Sequence, residues 1–301
     1  MHISKNRLYA TLGFAVLSFP LHAYAAEGLL PLQPGATTGS PLGALPPPGV
    51  YVNLDFEYGG GRLRDTNGRS VPVKINDNFD TFSALWSTPY TVLGAQYAAG
   101  VIVPISYYNV DTTGVGGSRT SNFGFFNPIF TPAALSWNLP HGLHVSTGVS
   151  FYAPIGAFHV ANKTRLQTSY ANGYSTFEPS LAVSYLANGW DLTASNFYDF
   201  NLKNTYTNYK SGNIYYLDLT ATKTFGKFTA GLIGNYTRQL GDDRKAGVVV
   251  GDGNKAEHVL VGPYLSCAFD RFTLIGRVLQ DVYARNDIQV TFVHLGVSTK
   301  F

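Results

Sequence analysis

Ile288 to Phe301 reads IQVTFVHLGVSTKF, and its alternation decides the fold class. Val293, Leu295, Val297 and Phe301 point one way, with Thr299 the exception, while His294, Gly296, Ser298 and Lys300 point the other. A period of two with one apolar face describes a strand with one greasy side. The pattern recurs upstream. Phe177, Pro179, Leu181, Val183 and Tyr185 oppose Glu178, Ser180, Ala182 and Ser184. Tyr215, Leu217, Leu219, Ala221 and Phe225 oppose Asp218, Thr220, Thr222 and Thr224.

Twelve such runs follow one another after Val50, near 50–62, 79–89, 95–110, 122–139, 142–156, 173–187, 190–202, 211–225, 227–240, 257–269, 271–285 and 288–301. Connections after even-numbered runs are short: Pro140–Gly142, Ala187–Gly189, Phe225–Lys227 and Asp270–Arg271. Those after odd-numbered runs are often long and polar: Leu63–Asn78, Asp111–Ser121, Phe158–Asn172 and Gly241–Ala256. Lys203–Lys210 and Asn286–Asp287 are the shorter ones on that side. A soluble β-sandwich shows the same alternation. Three features favour a membrane barrel. Aromatics flank the apolar rows (Trp190, Phe225, Phe269 and Phe301 at the short turns, Tyr198 and Phe200 opposite). The second face is too polar for a packed core. The chain ends in Phe301 on a greasy row. The expectation is an all-β protein: a transmembrane antiparallel β-barrel of about twelve strands, with short periplasmic turns and longer extracellular loops.

Composition agrees. Charged residues are 13% against an ordinary ~25%, and aromatics are 14%. Abundant aromatics and low net charge exclude a disordered chain, and scarce helix formers exclude a helical one. Lys5 and Arg7, the apolar run Leu8–Phe19 and Ala23-Tyr24-Ala25 form an export signal over residues 1–25. Its removal takes the formal charge from +3 to +1 and gives no basic face for nucleic acid. The single cysteine, Cys267, allows no internal disulfide and lies on the apolar row of Val259, Val261, Leu265 and Phe269. Residues 26–49 are a separate zone with Pro31, Pro34, Pro41, Pro46, Pro47 and Pro48, an extended arm ahead of a barrel over 50–301. It is too short for a plug domain. It either hangs free as a periplasmic tail, the expectation preferred here, or folds back against Tyr152 and Tyr264 and leaves an apolar groove for aromatic rings.

Segments spread along the chain resemble a known family: Pro47–Tyr51 (PPGVY), Asn127-Pro128, Ala134–Trp137 (ALSW), Ala153–Phe158 (APIGAF), Asn204–Gly212 (NTYTNYKSG), Gln239–Asp243 (QLGDD) and Gly262–Tyr264 (GPY). They occur in the order found in outer-membrane proteins associated with the meta-pathway of phenol degradation. Where that family often has Gly-x-Gly-Asp-Pro, this chain reads Gly124-Phe125-Phe126-Asn127-Pro128. The resemblance implies a barrel that lets small, often aromatic, molecules cross the outer membrane. The expectation drawn from the whole sequence is an outer-membrane channel for passive uptake of small hydrophobic or aromatic molecules.

Two other classes stay in view, a barrel-borne lipid hydrolase and a structural or adhesion barrel. His144-Val145-Ser146 puts an imidazole and a hydroxyl on one strand face and is similar to the His-x-Ser-Asn-Gly of outer-membrane phospholipase, with Thr147 in place of Asn. Asp242, Asp243 and Asp252 lie in a glycine-rich loop that could attract Ca²⁺, although Arg244, Lys245 and Lys255 dilute its charge. No histidine and carboxylate show close ligand spacing, so no metal or cofactor is expected. The candidate functional residues are the inward ones: Tyr152, Glu178, Asp199, Asp218, Tyr264, Arg277, Asp281 and His294. Expected partners are outer-membrane lipid and lipopolysaccharide, the permeant, and the barrel-assembly machinery at Phe301, for a monomeric protein.

Overall fold

The computed structural model describes residues 27–157 and 171–301. The export signal and most of the Phe158–Asn172 connection lie outside them. Twelve staves form the wall: β1 (Gly49–Arg64), β2 (Ser70–Val92), β3 (Ala95–Asp111), β4 in two pieces (Arg119–Phe125 and Ile129–Asn138), β5 (Leu143–Tyr152), β6 (Thr176–Ala187), β7 (Trp190–Asn201), β8 (Ile214–Phe225), β9 (Phe228–Gln239), β10 (Glu257–Ala268), β11 (Phe272–Arg285) and β12 (Ile288–Lys300). Each pairs antiparallel with the next, and β12 pairs with β1 from Leu63↔Ile288 to Tyr51↔Lys300. Val50 and Phe301 exchange backbone hydrogen bonds, so the seam closes at the last residue. Closure leaves no unpaired edge, which lipid demands.

The wall is inside out relative to a soluble protein. Leu54, Phe56 and Tyr58 on β1 face Val297, Leu295 and Val293 on β12 across the ladder, and Leu54, Phe56, Tyr58, Leu295 and Val293 are exposed. Their alternates Glu57 and His294 are buried. An exposed apolar belt around a polar interior fits hydrocarbon as the outer solvent. Lys223 lies over the Trp190 ring and Lys227 over Phe228 at the short-turn rim, where cation and aromatic mark the membrane boundary. The β6–β7 turn, Asn188-Gly189, has φ of 52° and 77°, the doubly positive geometry of a two-residue hairpin.

Two long connections are shorter than expected. Most of Leu63–Asn78 is strand, with Tyr58↔Asn78 and Arg62↔Lys74 paired, and only a turn at 65–69 remains. Asp65 holds that turn by accepting the amides of Asn67 and Arg69. The 111–121 connection contracts to a single 3₁₀ turn, with β4 beginning at Arg119. The reason is a change of phase. In the belt, Phe82 and Trp86 point outward. Beyond it, Val73 and Ile75 point inward and pack with Leu63, Tyr108 and Val110, while Lys74, Asn76 and Asn78 are exposed. The hairpins project past the membrane, where water replaces lipid and the apolar side turns in.

The fourth stave breaks at Phe126-Asn127-Pro128. Asn127 is buried and donates its amide to the carbonyls of Asn172 and Tyr174, at 2.8 and 3.3 Å. A carboxylate could donate to neither, which gives the Asn at this position a physical purpose. The break brings Phe126 inward, edge-on to Phe79 at 5.6 Å.

Candidate permeation path

The Pro-rich arm is inside the barrel. The periplasmic tail preferred from sequence is overturned, and so is the extended shape. The arm is a chain of turns, closed by Ala36 N–H to Gln33 O, Thr38 N–H to Gly35 O and Ala44 N–H to Pro41 O. Barrel side chains satisfy the backbone groups that these turns leave over. At the short-turn end Ser87 and the Gln96 amide donate to Pro46 O. Ser136 donates to Gly43 O, Ser146 to Leu42 O, and Gly43 N–H to Ser184. Midway, Gly39 N–H donates to Thr220 and Thr37 to Asp218. Higher up, the Gln33 amide donates to Glu57. At the long-loop end Asn172 donates to Leu29 O, Glu27 N–H donates to Ser211, and Asn204 donates to the Glu27 carboxylate. The arm spans the lumen from one rim to the other.

A small sheet forms the far anchor. Tyr209–Lys210, Arg244–Lys245 and Val248–Val249 pair outside the wall. Asp243 is its keystone, fully buried and accepting from the Tyr209 hydroxyl (2.6 Å), Gly212 N–H (2.8 Å) and the Gln239 amide (2.8 Å). Asp242 pairs with Lys255 at 2.9 Å, and Asp252 accepts from Thr66. These carboxylates are therefore spent on separate protein donors. Among the described residues no group of histidine, cysteine and carboxylates could hold a metal ion.

The arm lies against one side and leaves a cavity of about 430 Å³ against the other. Leu32, Ala36, Leu42 and Leu45 face it from the arm, and Phe79, Ile102, Phe126 and Ile129 from the wall. Of the inward residues named from sequence, Tyr152, Glu178, Tyr264, Arg277 and His294 border it. Tyr152, only 1% exposed, donates to Glu178 at 2.8 Å. Arg277 Nη1 donates to the carbonyls of Ala36 (3.0 Å) and Thr38 (2.7 Å), and its Nη2 meets His294 Nε2 at 3.1 Å. Asp199 and Asp218 also face inward but sit behind the arm, Asp199 accepting from Tyr216 and from Leu32 N–H. Asp281 is removed from the cavity. It holds His258 Nδ1 at 2.7 Å, and His258 Nε2 lies 3.3 Å from Asp287.

Asp55 and Glu57 were missed. Both border the cavity, Asp55 lying 3.2 Å from His294. The alternation of β1 carries the signal, because Asn53, Asp55 and Glu57 interleave with Leu54, Phe56 and Tyr58. His144 and Ser146 do not form a dyad. His144 Nδ1 pairs with Asn138 at 2.7 Å, while the Ser146 hydroxyl donates a hydrogen bond to Leu42 O at 2.6 Å.

An exposed apolar belt, a closed twelve-stave wall and a polar interior shared between a threaded arm and a side cavity define an outer-membrane β-barrel. The chain belongs to the family described as MetA-pathway of phenol degradation, whose profile matches residues 60–294. Its structure is similar to that of an outer-membrane channel from Pseudomonas putida F1, with a TM-score of 0.74 and 14% identity over 90% of this chain and 100% of that one. The translocator domain of the autotransporter NalP from Neisseria meningitidis gives a TM-score of 0.51 at 12% identity, over 84% of this chain and 88% of that one. No curated protein matches the sequence. At these identities the likenesses establish the fold.

Proposed function

We propose that this barrel is an outer-membrane channel through which small hydrophobic and aromatic molecules enter passively, in the service of aromatic compound degradation. The carrying observation is the arm-flanked cavity. Its volume of about 430 Å³ suits a one-ring compound, and rings of Phe79, Phe126, Tyr152, Phe197 and Tyr264 surround it. Family membership and the similarity to a channel fold support the same reading. The protein works as a conduit, not an enzyme, a reading supported by Ser146 being engaged by the arm instead of activated by His144. The test is initial uptake of radiolabelled phenol by porin-deficient cells with an intact lipopolysaccharide leaflet, with and without the chain. Chain-dependent uptake is expected, and its absence in cells carrying folded barrel would refute the reading.

A further inference from the structure

The wall of the cavity carries information about which aromatic molecules can pass. The chain is basic, with a formal charge of +3, but the charges are segregated. Lys223 and Lys227 lie over aromatic rings at the short-turn rim, and Arg119 pairs with Asp111 at the opposite rim. Inside, Asp55, Glu57 and Glu178 border the cavity, and Asp199 and Asp218 stand behind the arm. Among the described residues Arg277 is the one lysine or arginine on the cavity border. Its Nη1 is turned onto arm carbonyls and its Nη2 onto His294, so its terminal nitrogens are already engaged.

From this distribution we propose that the cavity rejects anions: it passes neutral aromatic rings, phenols included, and excludes aromatic carboxylates. The proposal rests on the channel reading. A carboxylate entering so narrow a space sheds water and finds no free charged donor to replace it. It meets instead the acceptor oxygens of Asp55, Glu57 and Glu178 on the cavity border. Glu178 accepts from the Tyr152 hydroxyl at 2.8 Å and Asp199 from the Tyr216 hydroxyl at 3.1 Å, so both carboxyls are held by neutral wall donors. Asp218 accepts from the Thr37 amide, the Thr37 hydroxyl and the Asn235 amide, a donor set suited to a carboxylate. A neutral phenol loses little on entry, and its hydroxyl can donate to the acceptors on this wall.

Initial uptake of radiolabelled phenol and radiolabelled benzoate at pH 7, in the same porin-deficient cells with and without the full chain, tests this. The chain-dependent rate for phenol is expected to exceed that for benzoate by about tenfold or more. Glu57→Gln with Asp55→Asn, in barrel that keeps its heat-modifiable mobility, is expected to raise benzoate uptake relative to phenol. Equal chain-dependent uptake of the two compounds overturns the proposal and leaves the channel standing. No chain-dependent uptake of either overturns the channel reading and the proposal together.

Discussion

Asp218 Oδ2 accepts two hydrogen bonds from the same residue of the arm, 2.9 Å from Thr37 N and 2.6 Å from Thr37 Oγ1. The residues are 181 positions apart, and Asp218 is 2% exposed. Hydrogen bonds to a charged group contribute about 1.5–3 kcal/mol each, so this one carboxylate is a principal tether of the arm. Asp218→Ala should loosen the arm at mid-barrel while the wall ladder stays intact. The expected readout is faster amide exchange at Thr37 and Gly39 with unchanged protection in β8 and β9. Uniform loss of protection would mean instead that Asp218 supports the wall.

Gly39 is irreplaceable for two reasons. Its φ is +85°, and a Cβ there would strike the ring of Tyr264. Gly39→Ala should therefore cost about 1–3 kcal/mol of arm docking. Limited proteolysis of the variant should cut within the arm, where the native protein resists. Equal resistance of the two proteins would contradict the placement of Gly39.

The Asp243 anchor makes the small outer sheet sensitive to pH. Burial raises its carboxyl above the usual aspartate range, and its bonds from Tyr209, Gly212 and Gln239 offset that only in part. The folded sheet then holds a proton that the unfolded one releases. Its contribution to stability is full below the usual aspartate pKa, falls as pH rises through the raised folded value, and is flat above it. Protection factors for the Gly212 amide should decline over that window in the native protein and lose the dependence in Asp243→Asn. A rise with pH would reverse the sign and refute the assignment.

The twelve staves were legible because each belt residue faces either lipid or the polar interior, so period two survives in the sequence. The phase change in β2 hid its first turns, since Val73 and Ile75 switch the apolar side inward where Phe82 and Trp86 had put it outward. The break at Asn127 was quoted as a motif but lay within a single expected run. Nothing local shows that an amide there feeds two carbonyls some 45 residues on. The arm was the least legible part. Its prolines and leucines restrict its conformation, but its position depends on Asp218, Thr220, Ser184 and Arg277, contributed by distant strands whose height in the barrel only the closed register fixes. Asp55 and Glu57 were readable from the same alternation that revealed Glu178.

Orientation has a direct check. In a Cys267→Ser background, cysteines at Thr66, Thr113 and Asp252, and at Thr168, which lies outside the described residues, should label with an impermeant maleimide on intact cells if the long-loop end is outside. Labelling at Asn188 or Lys227 instead would invert the barrel.

Passive transport makes a further demand. In cells that do not metabolise phenol, a protonophore should leave initial chain-dependent uptake unchanged. Collapse of uptake would show coupling.

The central claim is that permeants pass through a lumen that the arm narrows from rim to rim. Single-channel conductance of the full chain against a variant lacking residues 27–46 tests it most directly. The account predicts a clear rise in conductance once the arm is gone, and unchanged conductance in a correctly folded, heat-modifiable barrel would contradict it.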